Sequence, residues 1–314
     1  MQRVLVTGGA GFIGSHVATA LIARGDHVTV LDNLNDFYDP ALKRENARGL
    51  RGATIVTGDI RDENLVSRLF TEGEFDGVIH LAAMAGVRPS LLDPLHYQDV
   101  NVRGTVILLE ELKKRPKSRF VFASSSSVYG SNDKVPFEET DDIHHPVSPY
   151  AATKRAGELL CYTHHHLYGI PTTALRFFTV YGPKQRPEMA IHKFVKAAFE
   201  KKPIPFFGDG STRRDYTYVD DIVDGVVKSL DHCAGYEIYN LGESATTSLS
   251  ELVSIIGEAT GEKPILDKQP MQPGDVLITY ADVSKAKRML GYDPKVPVRE
   301  GIERFVRWYR SRAV

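Results

Sequence analysis

Cysteine is almost missing from this sequence. Cys161 and Cys233 are the only two in 314 residues, too few for a disulfide framework or a zinc cluster, so both read as small core residues. An excess of either charge is missing as well: 39 Lys and Arg stand against 40 Asp and Glu, a formal net charge of −1. No bulk electrostatic case therefore exists for nucleic acid or an anionic membrane as partner, and any anion must be bound by local placement. No apolar run is long enough to cross a bilayer. Met1 to Thr7 leads straight into a glycine-rich turn, without the basic leader and apolar stretch of a signal peptide. A cytoplasmic location is expected. Repeats, low-complexity tracts and flexible linkers are also absent, which predicts closely packed lobes.

What is present is an alternation of strands and helices. Arg3–Val6, His27–Leu31, Thr54–Val56, Gly77–Leu81, Arg119–Ala123 and Thr173–Leu175 are short apolar, β-branched runs suited to buried parallel strands. Helical stretches separate them, notably Phe12–Arg24, Leu95–Lys114 and Tyr150–Tyr168. That alternation predicts an α/β fold, a Rossmann-like doubly wound parallel sheet. Beyond Thr179, Pro and Gly become frequent and the elements shorten. The expected division is a dinucleotide-binding domain over 1–179 and a smaller C-terminal substrate-binding lobe over 180–314, with a return to the sheet near 237–241.

Thr7-Gly8-Gly9-Ala10-Gly11-Phe12-Ile13-Gly14 follows the first strand and opens the first helix. Gly8, Gly11 and Gly14 permit a tight turn and close approach of backbone to a pyrophosphate seated on the helix N-terminus, beside Phe12 and Ile13. Asp32 ends the second strand about 20 residues on, where a carboxylate accepts from ribose hydroxyls and repels a 2′-phosphate. Asn33 follows with no adjacent arginine, so NAD is favoured over NADP. Asp59 and Ile60, after the third strand, are candidate adenine contacts. Leu81, Ala82 and Ala83, after the fourth, offer small residues where a cofactor lies flat.

Tyr150 and Lys154 are four apart on a predicted helix and project from one face. The ammonium and a positively charged nicotinamide are expected to lower the phenol's pKa and make Tyr150 a base. Ser124-Ser125-Ser126-Ser127 ends a strand about 25 residues upstream, where a hydroxyl can share the substrate proton. Three successive histidines, His164 to His166, diverge by about 100° per residue on a helix and cannot converge on one ion, so no metal is expected.

The glycine motif, the serine-rich strand end before Val128-Tyr129-Gly130, and Ser148-Pro149-Tyr150-Ala151-Ala152-Thr153-Lys154 resemble the extended short-chain dehydrogenases acting on sugar nucleotides. The resemblance runs the length of the chain. It implies Ser125 as the catalytic hydroxyl, Tyr150 as acid/base, Lys154 as its partner and nicotinamide-ribose contact, and Ser124 and Asn101 at the cofactor. Dehydratases of that family carry an Asp-Glu pair where Ser126 and Ser127 stand. Decarboxylases place a glutamate at the position of Ser127. Arg88 (in Met84–Ser90) and Arg186 (in Tyr181–Pro187) resemble the pattern of the UDP-glucuronate 4-epimerase branch, which implies a UDP-sugar substrate, UDP-glucuronate above others.

An arginine fork can hold a carboxylate with two parallel hydrogen bonds, so Arg186 is expected to surround it with Ser126, Ser127 and Thr179. Arg214, just before Asp215-Tyr216, resembles the family's diphosphate contact, and Gln272-Pro273-Gly274-Asp275 resembles a second nucleotide-binding turn containing Asp275. UDP-galactose epimerases usually have arginine at the Gln272 position and asparagine at that of Thr179. Decarboxylation, a neutral UDP-hexose substrate and a non-catalytic NAD-binding regulator stay open, although a pure binder needs no Ser125, Tyr150 and Lys154 set. The helices Leu95–Lys114 and Tyr150–Tyr168 are the family's usual dimer pair, so a homodimer is expected, with Leu108, Leu109, Leu112, Leu159 and Leu160 as candidate apolar surface.

Overall fold

The computed structural model describes residues 1–271 and 276–312. Seven parallel strands form the main sheet: β1 Arg3–Thr7, β2 His27–Asp32, β3 Thr54–Thr57, β4 Gly77–His80, β5 Arg119–Ser125, β6 Thr172–Phe177 and β7 Tyr236–Leu241. Their spatial order is β7-β6-β5-β4-β1-β2-β3. The order reverses between β1 and β4, and in such sheets a crevice opens beyond the carboxyl ends of the strands at that point.

Alternating side chains along each strand feed two cores. Val4, Val6, Val30, Val121 and Leu175 pack on one face under helices Phe12–Ala23 and Val219–Asp231. Leu5, Leu31, Val78, Phe120 and Phe122 pack on the other, under helices Gly104–Lys113 and Pro149–Tyr168. Leu108, Leu109 and Leu112 are completely buried in this second core. They face the sheet and are not interface surface, whereas Leu159 is half exposed.

Helix Pro149–Tyr168 is delimited by its sequence. The Ser148 hydroxyl accepts the Ala151 N–H at 3.1 Å, Pro149 occupies the first turn, and Gly169 closes the helix at φ 71°. Gly157 lets it settle onto β5, because a Cβ there would come 2.3 Å from the Phe122 ring. The helix expected over Leu95–Lys114 is present as one continuous helical run, Pro94–Gln98 leading through a π turn at Asp99–Arg103 into Gly104–Lys113. Hydrophobic spacing does not encode the widened turn; Asn101, within it, has bonds described below.

The C-terminal region is built from short pairs. Thr179–Tyr181 lies parallel to Tyr216–Tyr218, Pro203–Phe207 parallel to Ile265–Gln269, and Arg213–Arg214 antiparallel to Thr247–Ser248. Asp215 ties these pieces together. Its buried carboxylate accepts the N–H groups of Glu243, Ser244 and Ala281 at 2.8–3.1 Å, and burial pushes its pKa up to about 6 despite them. Among the described residues, no helix is long and apolar enough to cross a membrane.

Candidate active site

The crevice at the sheet reversal is a cavity of about 340 Å³, within the range of small-molecule sites. Gly8 sits at φ 69°, and a Cβ on it would lie 2.7 Å from the Ala82 nitrogen. A Cβ on Gly14 would lie 2.1 Å from the Gly8 carbonyl oxygen. Only glycine fits at either place, so the turn passes tightly under Leu81, Ala82 and Ala83. Gly11 begins helix Phe12–Ala23 without a side-chain cap or an acidic residue in the first turn. The first N–H groups and the positive end of the helix therefore face the cavity beside Phe12 and Ile13.

Asp32 is anchored at the rim, accepting from Ala10 N–H at 3.1 Å and Leu34 N–H at 2.9 Å. Asp59 accepts from Asn33 Nδ2 at 2.9 Å and from Arg61 at 2.8–2.9 Å, and the Arg61 guanidinium holds its carboxyl far below the usual carboxylate range. Asn33, Asp59 and Ile60 all line the wall.

Sequence reasoning missed Lys43. Its ammonium donates to the Asn35 carbonyl and side-chain oxygens at 3.0 and 2.6 Å, lies 4.6 Å from the Tyr38 ring centre, and joins the wall near Asp32. The absence of arginine after Asp32 is therefore not the absence of a cation. Only the fold brings residue 43 back to residue 32, so no spacing rule flags it.

Asn101 lies behind the wall rather than on it. Its side-chain oxygen accepts Met84 N–H at 2.7 Å, and its amide donates to the Met84 carbonyl at 2.9 Å and the Thr153 hydroxyl at 3.0 Å. It thus clips Met84 to the helix bearing Tyr150 and Lys154. His80 adds to this support. Thr105 donates its hydroxyl to the Asn101 carbonyl at 2.6 Å, so it can only accept from His80 Nε2 at 3.0 Å. Nδ1 must then accept from Thr7 Oγ1 at 2.7 Å. Burial keeps this imidazole neutral, with its pKa near about 3.

Ser124, Ser125, Ser126, Ser127, Tyr150 and Lys154 meet on one stretch of wall. Ser125 Oγ accepts Ser127 N–H at 3.1 Å and donates to Ser127 Oγ at 3.1 Å. Ser124 donates to Glu158 Oε1 at 2.6 Å, and Glu158 is itself gripped by two nitrogens of fully buried Arg176 at 2.9 and 3.0 Å. Lys154 is buried, donates to the Ala123 carbonyl at 2.7 Å and has its pKa pulled down to about 8 by burial.

The Lys154 ammonium does not by itself lower the Tyr150 pKa. Burial raises its phenol pKa, and a hydrogen bond with Ser125 and the Arg186 charge only oppose the rise. Lys154 does not pre-ionise it, since its ammonium is directed at Ala123 and lies 5.9 Å from the ring centre.

Thr179 and Arg186 line the same cavity as the serines. Arg186 Nε lies 3.0 Å from Glu188 Oε1 and its guanidinium 5.7 Å from the Phe37 ring centre, while its terminal nitrogens make no hydrogen bond among the described residues. Two other predicted arginines lie off this wall. Arg88 rests over the Phe207 ring at 5.2 Å. Arg214 donates to the Arg213 carbonyl at 2.9 Å, beside the Thr247–Ser248 strand. Asp275, with Gln272–Gly274, falls outside the described residues.

Residues 5–305 match the family described as GDP-mannose 4,6 dehydratase. UDP-glucuronate 4-epimerase 4 of Arabidopsis thaliana is 46% identical over 329 residues, covering 98% of this chain and 75% of the plant protein. The crystal structure of UDP-glucuronic acid 4-epimerase from Bacillus cereus, in complex with UDP-glucuronic acid and NAD, matches with a TM-score of 0.92 at 36% identity, covering 98% of this chain and 99% of that one. UDP-glucose 4-epimerase from Thermotoga maritima, with UDP-glucose, matches with a TM-score of 0.93, also at 36% identity, over 99% of both chains. Backbone similarity therefore does not separate a uronate enzyme from one for a neutral sugar; side chains on the cavity wall have to.

Proposed function

The chain belongs to the extended short-chain dehydrogenases, matching the GDP-mannose 4,6 dehydratase family over residues 5–305, and from that premise we propose that it is an NAD-dependent UDP-glucuronate 4-epimerase. The observation that carries the substrate is the Arg186 guanidinium, whose unengaged end shares a wall with Ser126, Ser127 and Thr179. A forked cation among short hydroxyls suits a sugar carboxylate. The family's dehydratase chemistry is disfavoured because Ser126 and Ser127 supply neither acid nor base.

The glycine cradle fits a dinucleotide, since side chains at Gly8 and Gly14 would collide with the backbone they lie against. In this reading the diphosphate rests on the N-terminus of helix Phe12–Ala23, Asp32 takes the adenosine ribose, Asn33, Asp59 and Ile60 flank adenine, and Lys154 takes the nicotinamide ribose. When bound, NAD takes up and returns the hydride of sugar C4. Tyr150, aided by Ser125, removes the C4 hydroxyl proton and later restores it. A nicotinamide cation supplies the lowering of the Tyr150 pKa that Lys154 alone does not.

The oxidised sugar is a β-keto acid, which loses carbon dioxide once the bond to its carboxylate aligns with the carbonyl π system. Arg186, Ser126, Ser127 and Thr179 hold that carboxylate out of alignment. Arg214 and Asp275 are assigned to the nucleotide and Arg88 to the substrate side.

Arg186→Lys tests the assignment, because it keeps a cation beside Glu188 and removes the fork. It is expected to cut kcat/KM for UDP-glucuronate by about 100-fold, the order of a charge-assisted bidentate contact, with far less effect on UDP-glucose. Equal losses on both sugars overturn it. The same reading includes a division at residue 179, a cytoplasmic location suited to two buried free cysteines, and a homodimer through the exposed apolar side chains Leu91, Leu92, Leu95 and Leu159.

A further inference from the structure

Arg186 does not reach the cavity as a lone cation. Its Nε edge is met at 3.0 Å by Glu188, two residues further on. Both Glu188 carboxylate oxygens are shut off from solvent, and neither has a hydrogen bond of proper geometry among the described residues. A carboxylate in that condition is costly to keep. It caps no helix and completes no strand; its service is the charge beside Arg186.

The loop holds both residues firmly. Gln185 Nε2 donates to the Val180 carbonyl at 3.1 Å, His192 Nδ1 lies 2.7 Å from the Gln185 carbonyl, and Met189 N–H donates to the Arg186 carbonyl at 3.1 Å. Arg186 lines the cavity and Glu188 does not, so the carboxylate meets the guanidinium from behind the wall.

A guanidinium can pair with a carboxylate through its Nε edge or through its two terminal nitrogens. Glu188 occupies the first, leaving the second. We propose that Glu188 is a positioning residue for substrate discrimination, fixing the Arg186 plane so that only the terminal pair is offered to the sugar carboxylate. The proposal rests on reading Arg186 as the carboxylate contact. Orientation matters here beyond affinity. If the arginine swivels, the C5–carboxylate bond of the 4-keto sugar can align with the carbonyl. That bond then breaks, its electron pair passes to the C4 oxygen as an enolate, C5 takes a proton from solvent, and carbon dioxide leaves.

Glu188→Gln and Glu188→Asp in the NAD-loaded enzyme test this by titration with UDP-glucuronate and UDP-glucose, and by NMR of the glucuronate products. Glu188→Gln is expected to weaken UDP-glucuronate binding ~10-fold, the loss of the ion pair that orients Arg186. It should leave UDP-glucose binding within about 2-fold and produce a UDP-pentose signal absent from the parent. Glu188→Asp, which keeps the charge, should recover part of the affinity and suppress the pentose. Parallel weakening of both sugars, or unchanged uronate binding without pentose, overturns the role of Glu188 while leaving Arg186 in place. A parent enzyme that neither binds nor converts UDP-glucuronate overturns the reading of Arg186, and this proposal with it.

Discussion

Glu158→Gln is the substitution through which the support of this site is most sharply tested. Glu158 and Arg176 are 0% and 1% exposed, so solvent screens neither charge. Two hydrogen bonds of 2.9 and 3.0 Å join them, and Ser124 and Arg155 donate to the same carboxylate at 2.6 and 3.1 Å. Removing one partner of such a pair leaves an uncompensated buried charge at a cost of about 3–5 kcal/mol. The amide also presents an NH₂ to donors it cannot satisfy.

Replacing both partners by apolar residues, Glu158→Leu with Arg176→Met, removes both desolvation costs. It should fall within about 2 kcal/mol of the parent, the remaining loss being the Ser124 hydroxyl and the Glu139 carbonyl, which lose their partners, while Tyr129 keeps its bond to Asn240. Denaturant unfolding of the singles and the double gives the coupling directly. A Glu158→Gln cost below about 1 kcal/mol, or single effects that simply add in the double, refutes the reasoning. Because Ser124 adjoins Ser125, kcat should fall in Glu158→Gln even where the protein is fully folded.

Two further substitutions probe the cradle and the joint behind it. Gly14→Ala pushes a methyl to 2.1 Å from the Gly8 carbonyl, so NAD affinity measured by fluorescence titration should fall by at least about 10-fold; unchanged affinity would mean the turn is not the diphosphate seat. Glu243 has its pKa raised to about 8 by burial and by Asp221 and Asp215. A raised folded pKa gives stability present below the ordinary glutamate range and lost as pH rises through about 8. Glu243→Gln should therefore raise the melting temperature in mildly alkaline buffer and change it little in mild acid; a pH-independent effect contradicts the assignment.

The legible parts of this protein are those in which chemistry is local. The glycines lie within one strand–helix turn, Tyr150 and Lys154 within one helical turn, and the four serines at one strand end, so spacing alone brings each set together. Ser148-Pro149 and Gly169 mark their helix ends by the same local rules. What stayed hidden depends on tertiary placement. Lys43 approaches Asp32 only through the fold, and the bonds that Asn101 makes to Met84 and Thr153 likewise depend on tertiary placement. Leucines 108, 109 and 112 fit an interface or a core equally by pattern, and packing on the sheet decides for the core. The balance at Tyr150 is tertiary as well, because in the protein alone burial of the phenol outweighs the nearby charges.

The most direct test of the central claim is NMR of the purified protein incubated with UDP-glucuronate and catalytic NAD. UDP-galacturonate appearing without net NADH is the predicted result. UDP-xylose, accumulated NADH or no conversion would contradict it.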